Sequence, residues 1–270
     1  MKIDDETQIL WKDYVAVEKG HESGNDQPDE MNTSTEDGET GIVSGRALIP
    51  ASLRGNKRAL VPAEQRSRLL LDPEIIKLFY TVDALKEDDK SFVLQFLAST
   101  PGEGTTTISW GFALAASYEY ATPTLIIDCD SEERESDSRP SLVDAFIQSG
   151  QLDAAITKVP GTARLYYARL STNVSPMLEI DAADLRELFE FLKLDFSGVV
   201  LDCPAASNVT DSLALSRYAD GSIVVVKSGQ ARRGVIEWTH NSIGQFGGIC
   251  LGTVFNYREK RIPDWLYRLI

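Results

Sequence analysis

Apolar positions along this chain occur in short continuous runs, and segments with helical spacing separate these runs. Strands are predicted at 92–98, 125–130, 198–203, 222–227 and 249–255, and helices at 106–120, 181–194 and 232–245. Continuous apolar runs are typical of parallel strands that are covered on both faces. The alternation of strand and helix therefore predicts a doubly wound α/β fold with a mostly parallel sheet.

The N-terminal part of the chain lacks this pattern. Residues 1–40 contain twelve acidic residues and three lysines, and residues 17–60 have no hydrophobic periodicity. Such a composition buries too little apolar surface to fold by itself. We therefore expect an acidic, largely disordered region over 1–63 and an α/β domain over 64–270. The apolar residues of 9–15 are either one short helix face for a partner or a cluster without a role.

Composition and charge argue against two classes of function, membrane-spanning and nucleic-acid-binding. The chain has 270 residues, 43% of them hydrophobic, and a formal net charge of −14. No apolar stretch reaches the roughly 20 residues that cross a bilayer, which favours a cytoplasmic protein. The acidic balance and the short basic segments argue against nucleic acid as a partner. The three cysteines have no metal-ligand spacing and are interpreted as reduced core thiols.

The segment 99–109 reads STPGEGTTTIS and has the outline of a phosphate-binding loop. It lies between a predicted strand and a predicted helix, as a phosphate site requires. Gly102 and Gly104 allow the backbone amides to turn toward an anion, and Thr106 stands at the magnesium-ligand position. Thr105 stands where such loops carry a lysine. An ordinary strand-to-helix turn is the alternative interpretation of the glycine pair.

Acidic residues end two of the predicted strands. Asp128 and Asp130 belong to LIIDCD, and Asp202 belongs to VVLDC. Carboxyl ends of parallel strands meet at one edge of the sheet, so these acids are expected beside the glycine loop. Clustered buried carboxylates require a cation, and Mg²⁺ with a nucleotide phosphate is the simplest explanation. Each aspartate alone is equally compatible with a turn or helix cap.

The order of these motifs resembles that of the bacterial tyrosine kinases of polysaccharide export, which are P-loop NTPases related to MinD and ParA. The resemblance covers roughly residues 70–270. It rests on PGEG with its threonine run, LIIDCD, RPSL, DFSGVVLDCPA, TDSLALSRYADGSIVVV, GTVFN and the closing RIPDWLYRLI.

The resemblance implies a set of site residues. Nucleotide would be contacted by Gly102, Glu103, Gly104, Thr105, Thr106, Thr107 and Asn256, with Asn256 near the adenine; magnesium would be contacted by Thr106, Asp128 and Asp202. In an active member, Asp128 and Asp130 would assist phosphoryl transfer. The implied cofactors are Mg²⁺ with ATP or ADP. The implied partner is a membrane polysaccharide co-polymerase of the Wzz type, which would hold the chain at the inner membrane.

Three departures from the family pattern concern activity. Thr105 replaces the lysine, the family's oligomerisation helix is represented by Glu74, Lys77 and Tyr80, and only Tyr257 and Tyr267 lie near the end of the sequence. A lost lysine–phosphate contact of roughly 1.5–3 kcal/mol weakens binding by about one or two decades. We therefore expect a pseudokinase-like regulatory subunit with weakened nucleotide binding, while homo-oligomerisation stays open.

Two other functions are compatible with the sequence. The first is an active ATPase or protein-tyrosine kinase in which Arg134, Arg139, Lys227 or a partner's basic residue replaces the missing lysine. The second is a positioning protein of the MinD/ParA type, which is less favoured because that class carries a further lysine early in the loop.

Overall fold

The computed structural model describes residues 72–86, 90–130, 139–171, 175–230 and 232–257, together with the backbone of 8–10. Its helices are α1 (Pro73–Asp83), α2 (Thr105–Glu119), α3 (Leu142–Ser149), α4 (Pro176–Glu179), α5 (Ala182–Asp195), α6 (Thr210–Leu215) and α7 (Arg233–Gln245). Its strands are β1 (Gln8–Leu10), β2 (Phe92–Ala98), β3 (Thr124–Asp128), β4 (Thr157–Lys158), β5 (Leu165–Arg169), β6 (Gly198–Asp202), β7 (Gly221–Lys227) and β8 (Cys250–Asn256).

The strands form one sheet in the order β1-β8-β7-β2-β6-β3-β5-β4. All neighbours from β8 to β5 pair in parallel, whereas β1 and β4 pair antiparallel at the two edges. One buried cluster joins α3, α5, α6 and α7 to one face, and a second joins α1 and α2 to the other face. The doubly wound, mostly parallel α/β fold expected from the sequence is confirmed.

Helix α2 is apolar on nearly all sides because it is covered by both the sheet and α1. Trp110 and Phe112 are almost completely buried, and the run continues through Ala116. Gly111 faces α1, where a Cβ would lie 3.1 Å from Cδ1 of Ile75. The absence of a side chain at Gly111 thus lets α1 approach α2 closely and fixes the helix that begins at the glycine loop.

Side-chain alternation on the strands determines which residues share a face. Ile223 and Val225 of β7 belong to the α1/α2 cluster, whereas Val224 and Val226 belong to the opposite one. Since alternate residues of a strand share a face, Lys227 at the end of β7 lies on the α2 side. The same parity places Asp128, Arg169, Asp202 and Asn256 on the α2 side, because Ile126, Tyr167, Val200 and Val254 belong to that cluster.

The boundaries predicted from hydrophobic pattern agree with the elements to within two residues. Three strands were not predicted: β4 and β5 at one end of the sheet, and β1 at the other. The expectation of a disordered region over 1–63 falls outside the described residues except for Gln8–Leu10. There the helix-face interpretation of 9–15 is wrong for Ile9 and Leu10, which pair with Val254 and Thr253 as a strand. Without β1, strand β8 would be the edge of the sheet, and pairing with this segment satisfies its backbone groups.

Candidate functional site

The glycine loop connects β2 to α2 and turns with two left-handed residues. Gly102 has φ 82° and Gly104 has φ 92°, conformations that side chains of L-residues rarely adopt. Helix α2 begins directly after Gly104, whose carbonyl oxygen accepts hydrogen bonds from the amides of Thr107 (3.1 Å) and Ile108 (3.2 Å). The positive end of a 15-residue helix therefore faces the loop, which favours an anion there.

Glu103 organises the loop from inside. Its side chain is 1% exposed. One carboxylate oxygen accepts hydrogen bonds from the amides of Ser99 (2.9 Å) and Thr100 (3.0 Å), and the other accepts one from the amide of Lys227 (3.5 Å). The carboxylate thus ties the loop to itself and to the neighbouring strand β7. The family resemblance implies that Glu103 contacts the nucleotide, which stays a prediction; the structural role of its side chain was not predicted from the sequence.

Asn256 closes the other side of the loop. Its Nδ2 donates to the backbone oxygen of Glu103 at 3.0 Å, and its Oδ1 accepts from the amide of Tyr257 at 2.9 Å. A Cβ at Gly104 would overlap Nδ2 of Asn256 and would lie 3.3 Å from Cε2 of Tyr257. The side chain of Asn256 is therefore engaged with the loop backbone. Its expected place near an adenine stays a prediction.

The three threonines after Gly104 differ in exposure. Thr105 opens α2 and is 9% exposed, Thr106 is exposed, and Thr107 is half-buried. The hydroxyl of Thr106 is thus accessible to a metal ion. The buried Thr105 places a short neutral side chain at the point where the resemblance requires a lysine. The loop from Ser99 to Thr107 contains no basic residue.

Two acids stand side by side next to the loop. Asp128 and Asp202 are register partners on β3 and β6, and they are 4% and 7% exposed. The hydroxyl of Tyr167 donates to Oδ2 of Asp128 at 3.3 Å, and the amide of Asp130 donates to its Oδ1 at 3.1 Å. The ring of Tyr167 stacks on Trp110 of α2 with centroids 6.0 Å apart. Sequence reasoning missed Tyr167, because β5 was not predicted.

This pair of acids fits a magnesium ion only together with other ligands. Within the described residues, no group of three or more His, Cys, Asp or Glu side chains has an arrangement that could hold a metal ion. Asp128, Asp202 and the Thr106 hydroxyl are hard oxygen donors, which Mg²⁺ combines with water and phosphate oxygens. The donor chemistry therefore suits a metal that arrives with a nucleotide.

Two thiols lie behind the acids on the opposite face. Cys129 and Cys203 are buried and directly follow Asp128 and Asp202. Burial raises the pKa of the Cys129 thiol well above its ordinary value, and the neighbouring Cys203, Asp128 and Asp202 add to this shift. A raised pKa disfavours the reactive thiolate. This arrangement agrees with the expectation of core thiols.

Two cations end strands at the same edge as the acids. Lys227 ends β7, next to β2, and its amide faces Glu103. Arg169 ends β5 and is the register partner of Asp128; sequence reasoning missed it along with the strand. Arg169 Nη2 donates to the backbone oxygen of Arg139 at 2.8 Å, and Arg139 in turn donates to Oγ1 of Thr157. The candidate Arg134 lies outside the described residues.

The polar residues at the carboxyl edge of the sheet are arranged on both sides of the glycine loop. Asn256 and Lys227 lie on one side of the loop, and Asp202, Asp128 and Arg169 lie on the other, all on the α2 face. A glycine loop at the start of a helix, with carboxylates on one side and a lysine on the other, is an arrangement that can bind a phosphate group together with a metal ion. The fold and the site together define a P-loop type α/β domain.

Comparisons with known proteins agree with this class. Tyrosine-protein kinase CpsD of Streptococcus pneumoniae serotype 4 is 27% identical over 186 residues, which cover 62% of this chain and 77% of CpsD. The kinase domain of Escherichia coli tyrosine kinase ETK superposes with a TM-score of 0.65 at 17% identity, covering 77% of this chain and 84% of that domain. The VpsO kinase domain superposes with a TM-score of 0.60 at 22% identity, covering 73% and 97%. No protein-family model matches the chain.

The predicted resemblance to bacterial tyrosine kinases is therefore confirmed, in sequence by CpsD and in fold by the ETK and VpsO kinase domains.

Proposed function

We propose that this protein is a pseudokinase-like regulatory subunit of capsule or exopolysaccharide production. It keeps the nucleotide-site scaffold of the tyrosine kinases and catalyses phosphoryl transfer poorly. The observation that supports this proposal is Thr105, a buried, neutral residue at the first position of α2, in a loop whose glycines otherwise keep the required conformation.

The missing lysine affects binding and turnover differently. A charge-assisted contact to phosphate is worth roughly 1.5–3 kcal/mol, so its loss weakens nucleotide binding by about 10- to 100-fold. In phosphoryl transfer, negative charge grows on the transferring group and the lysine stabilises it. A loop without that cation is expected to lose more in turnover than in affinity.

We assign the remaining roles from the family resemblance together with the positions of the residues. The amides of 102–107 would surround phosphate oxygens at the start of α2. Thr106, Asp128 and Asp202 would hold Mg²⁺, which supplies charge neutralisation at the phosphates when it is bound. Asp130 is half-buried beside Asp128, and we assign it to the side of the site where the hydroxyl group that accepts the phosphoryl group would lie. Asn256 would keep the loop in its binding conformation through Glu103.

The partner belongs to the same proposal. CpsD is named as a tyrosine-protein kinase. The family resemblance described above implies a membrane co-polymerase of the Wzz type as the partner of this chain. Within the part of the chain that the structure describes, no helix is long and apolar enough to cross a bilayer. We propose that the chain works in the cytoplasm and reaches the inner membrane by binding such a partner.

A genetic and biochemical experiment tests this role. Deletion of the gene in its source organism is expected to reduce surface polysaccharide, and the wild-type chain should restore it and co-purify with a membrane co-polymerase. Phosphotyrosine on either protein should be absent. Unchanged polysaccharide after deletion, or tyrosine phosphorylation that depends on this chain, would contradict the proposal.

An active kinase is the second candidate, and one observation favours it. Lys227 lies on the strand next to the loop and on the same face as α2. A cation at this position can replace part of the missing charge.

A further inference from the structure

We infer that Lys227 is the phosphate-contacting cation of the nucleotide site, reaching it from β7 in place of a loop lysine. The inference rests on the proposed nucleotide site and identifies the residue through which that site still binds phosphate. It concerns ground-state binding, so it is compatible with weak catalysis.

The position of Lys227 is fixed by its backbone. β7 pairs with β2 so that Val225 is the partner of Ala98, and Lys227 lies two residues further along, beside the start of the loop. The amide of Lys227 donates to Oε1 of Glu103 at 3.5 Å. The strand register and this long hydrogen bond together place the Cα of Lys227 next to the start of the glycine loop.

The direction of the side chain is fixed by strand alternation and by Tyr257. Lys227 shares the face of Ile223 and Val225, which pack with α2. Its Nζ lies 5.2 Å from the ring centre of Tyr257. That ring lies against the loop, because Cε2 of Tyr257 would be 3.3 Å from a Cβ at Gly104. The ammonium group is thus held over a ring that itself contacts the glycine loop.

Tyr257 has a conformation that suggests a functional constraint. Among the described residues it is the one non-glycine residue with positive φ, at 57°, and its amide is bonded to Oδ1 of Asn256. Strained backbone of this kind occurs mostly where the surrounding structure requires it, often at ligand sites. Here the conformation places an aromatic ring beside the loop. The Lys227 ammonium group contacts this ring when no phosphate is bound.

The two contacts of Lys227 differ in strength. A cation–π contact at a partly exposed ring is weaker than a charge-assisted bond to phosphate. The flexible stem of lysine allows the ammonium group to leave the ring when an anion occupies the loop. Phosphate binding and the Tyr257 contact are therefore alternatives for the same cation.

The other cations described at this edge are less suited to the task. Arg169 ends β5, which is separated from β2 by β6 and β3, and it donates to the backbone of Arg139. Arg139 donates to Thr157. Both arginines therefore lie on the far side of Asp128 and Asp202, whereas Lys227 is on the strand adjacent to the loop.

A double-substitution cycle tests the inference by calorimetric titration of the full chain with Mg-ADP and Mg-ATP. Lys227→Met is expected to weaken binding about 10-fold or more, and Thr105→Lys to strengthen it about 10-fold. In the Thr105→Lys background, Lys227→Met should change affinity by less than about threefold, because the loop lysine then occupies the phosphate. Lys158→Met, on edge strand β4, is the control for removal of one positive charge.

A labelling experiment on the wild-type chain avoids any folding defect of a variant. In an ATP analogue with an acyl group on its terminal phosphate, the amine of a nearby lysine attacks the acyl carbon, an amide bond forms and the nucleotide leaves. We expect the label on Lys227 and its suppression by excess ADP.

Three outcomes overturn the inference. The first is a nucleotide affinity of Lys227→Met equal to that of wild type. The second is an equal loss of nucleotide affinity from Lys227→Met in the wild-type and Thr105→Lys backgrounds. The third is no nucleotide binding by the wild-type chain. None of them bears on the polysaccharide phenotype of the deletion strain, so failure of Lys227 and failure of the proposed function are distinguishable.

Discussion

Asn256 donates a hydrogen bond from Nδ2 to the backbone oxygen of Glu103 at 3.0 Å, which joins the end of β8 to a loop 153 positions earlier in the chain. The amide plane of Asn256 occupies the space that a side chain at residue 104 would need. The conformation of the glycine loop is thus determined from outside, by the strand next to β7, as well as by its own glycines.

This relationship distinguishes the two loop glycines. Gly104→Ala is expected to lower the free energy of unfolding by about 2–3 kcal/mol, because it strains a positive φ and displaces the Asn256 side chain. Gly102→Ala has a similar φ but meets nothing within 4 Å, and should cost about 1 kcal/mol. Urea denaturation of both variants measures the difference. Equal losses would show that the contact with Asn256 does not matter.

Glu103 provides a second test of the loop. Glu103→Ala leaves the amides of Ser99 and Thr100 without their acceptor in a buried site, and should lower the free energy of unfolding by about 2–4 kcal/mol. Glu103→Gln keeps an acceptor oxygen and should cost about 1–2 kcal/mol. The control is Glu237→Ala on α7, whose exposed pair with Arg233 is worth less than about 0.5 kcal/mol. A loss no larger than the control would contradict the structural role of Glu103.

His240 predicts a dependence of stability on pH. Its Nε2 lies 2.8 Å from Oγ1 of Thr253, and burial lowers the pKa of its imidazole from the ordinary value of 6.5. The unfolded chain therefore binds a proton at higher pH than the folded chain. The free energy of unfolding is therefore highest above about pH 6.5, where His240 is neutral in both states. It falls as the pH drops from there through the lowered pKa, by at most about 1.4 kcal/mol per pH unit. Denaturation curves of wild type and His240→Gln should diverge below pH 6.5. Parallel pH profiles of the two proteins would contradict this assignment.

The two thiols behind the acids should be unreactive in the folded chain. Burial raises the pKa of Cys129, and Cys203 is 3% exposed. We expect alkylation by iodoacetamide at pH 8 to be at least tenfold slower for both in buffer than in urea, as followed by mass spectrometry. Equal rates in buffer and urea would show that this side of the sheet opens readily.

The sequence predicted the parts of the fold that depend on local pattern. The apolar runs located β2, β3, β6, β7 and β8, and the acids at the ends of β3 and β6 were correctly expected to meet, since Asp128 and Asp202 are register partners. Strand β5 was missed because its apolar run, 165–168, has only four residues and lies between Arg164 and Arg169. Its functional neighbours Tyr167 and Arg169 were missed with it.

The contacts that the sequence did not predict are long-range and polar. The Glu103 side chain accepts hydrogen bonds from the amides of Ser99 and Thr100, and Asn256 contacts the loop. Neither contact produces a periodic pattern in the sequence. The position of Lys227 relative to the loop follows from the order of strands, which hydrophobic pattern alone does not specify. Lys227 is one of several candidate cations in the sequence, and the strand order distinguishes it from Arg139.

Turnover of ATP by the purified chain distinguishes a pseudokinase from an active kinase. Hydrolysis and tyrosine phosphorylation should be measured for wild type, for Thr105→Lys and for Thr122→Lys, which adds the same charge at an exposed position beyond the other end of α2. We predict very slow turnover by wild type, an increase of at least about tenfold in Thr105→Lys, and no increase in Thr122→Lys. Wild-type turnover equal to that of an active bacterial tyrosine kinase, unchanged by Thr105→Lys, would contradict the claim that Thr105 limits catalysis.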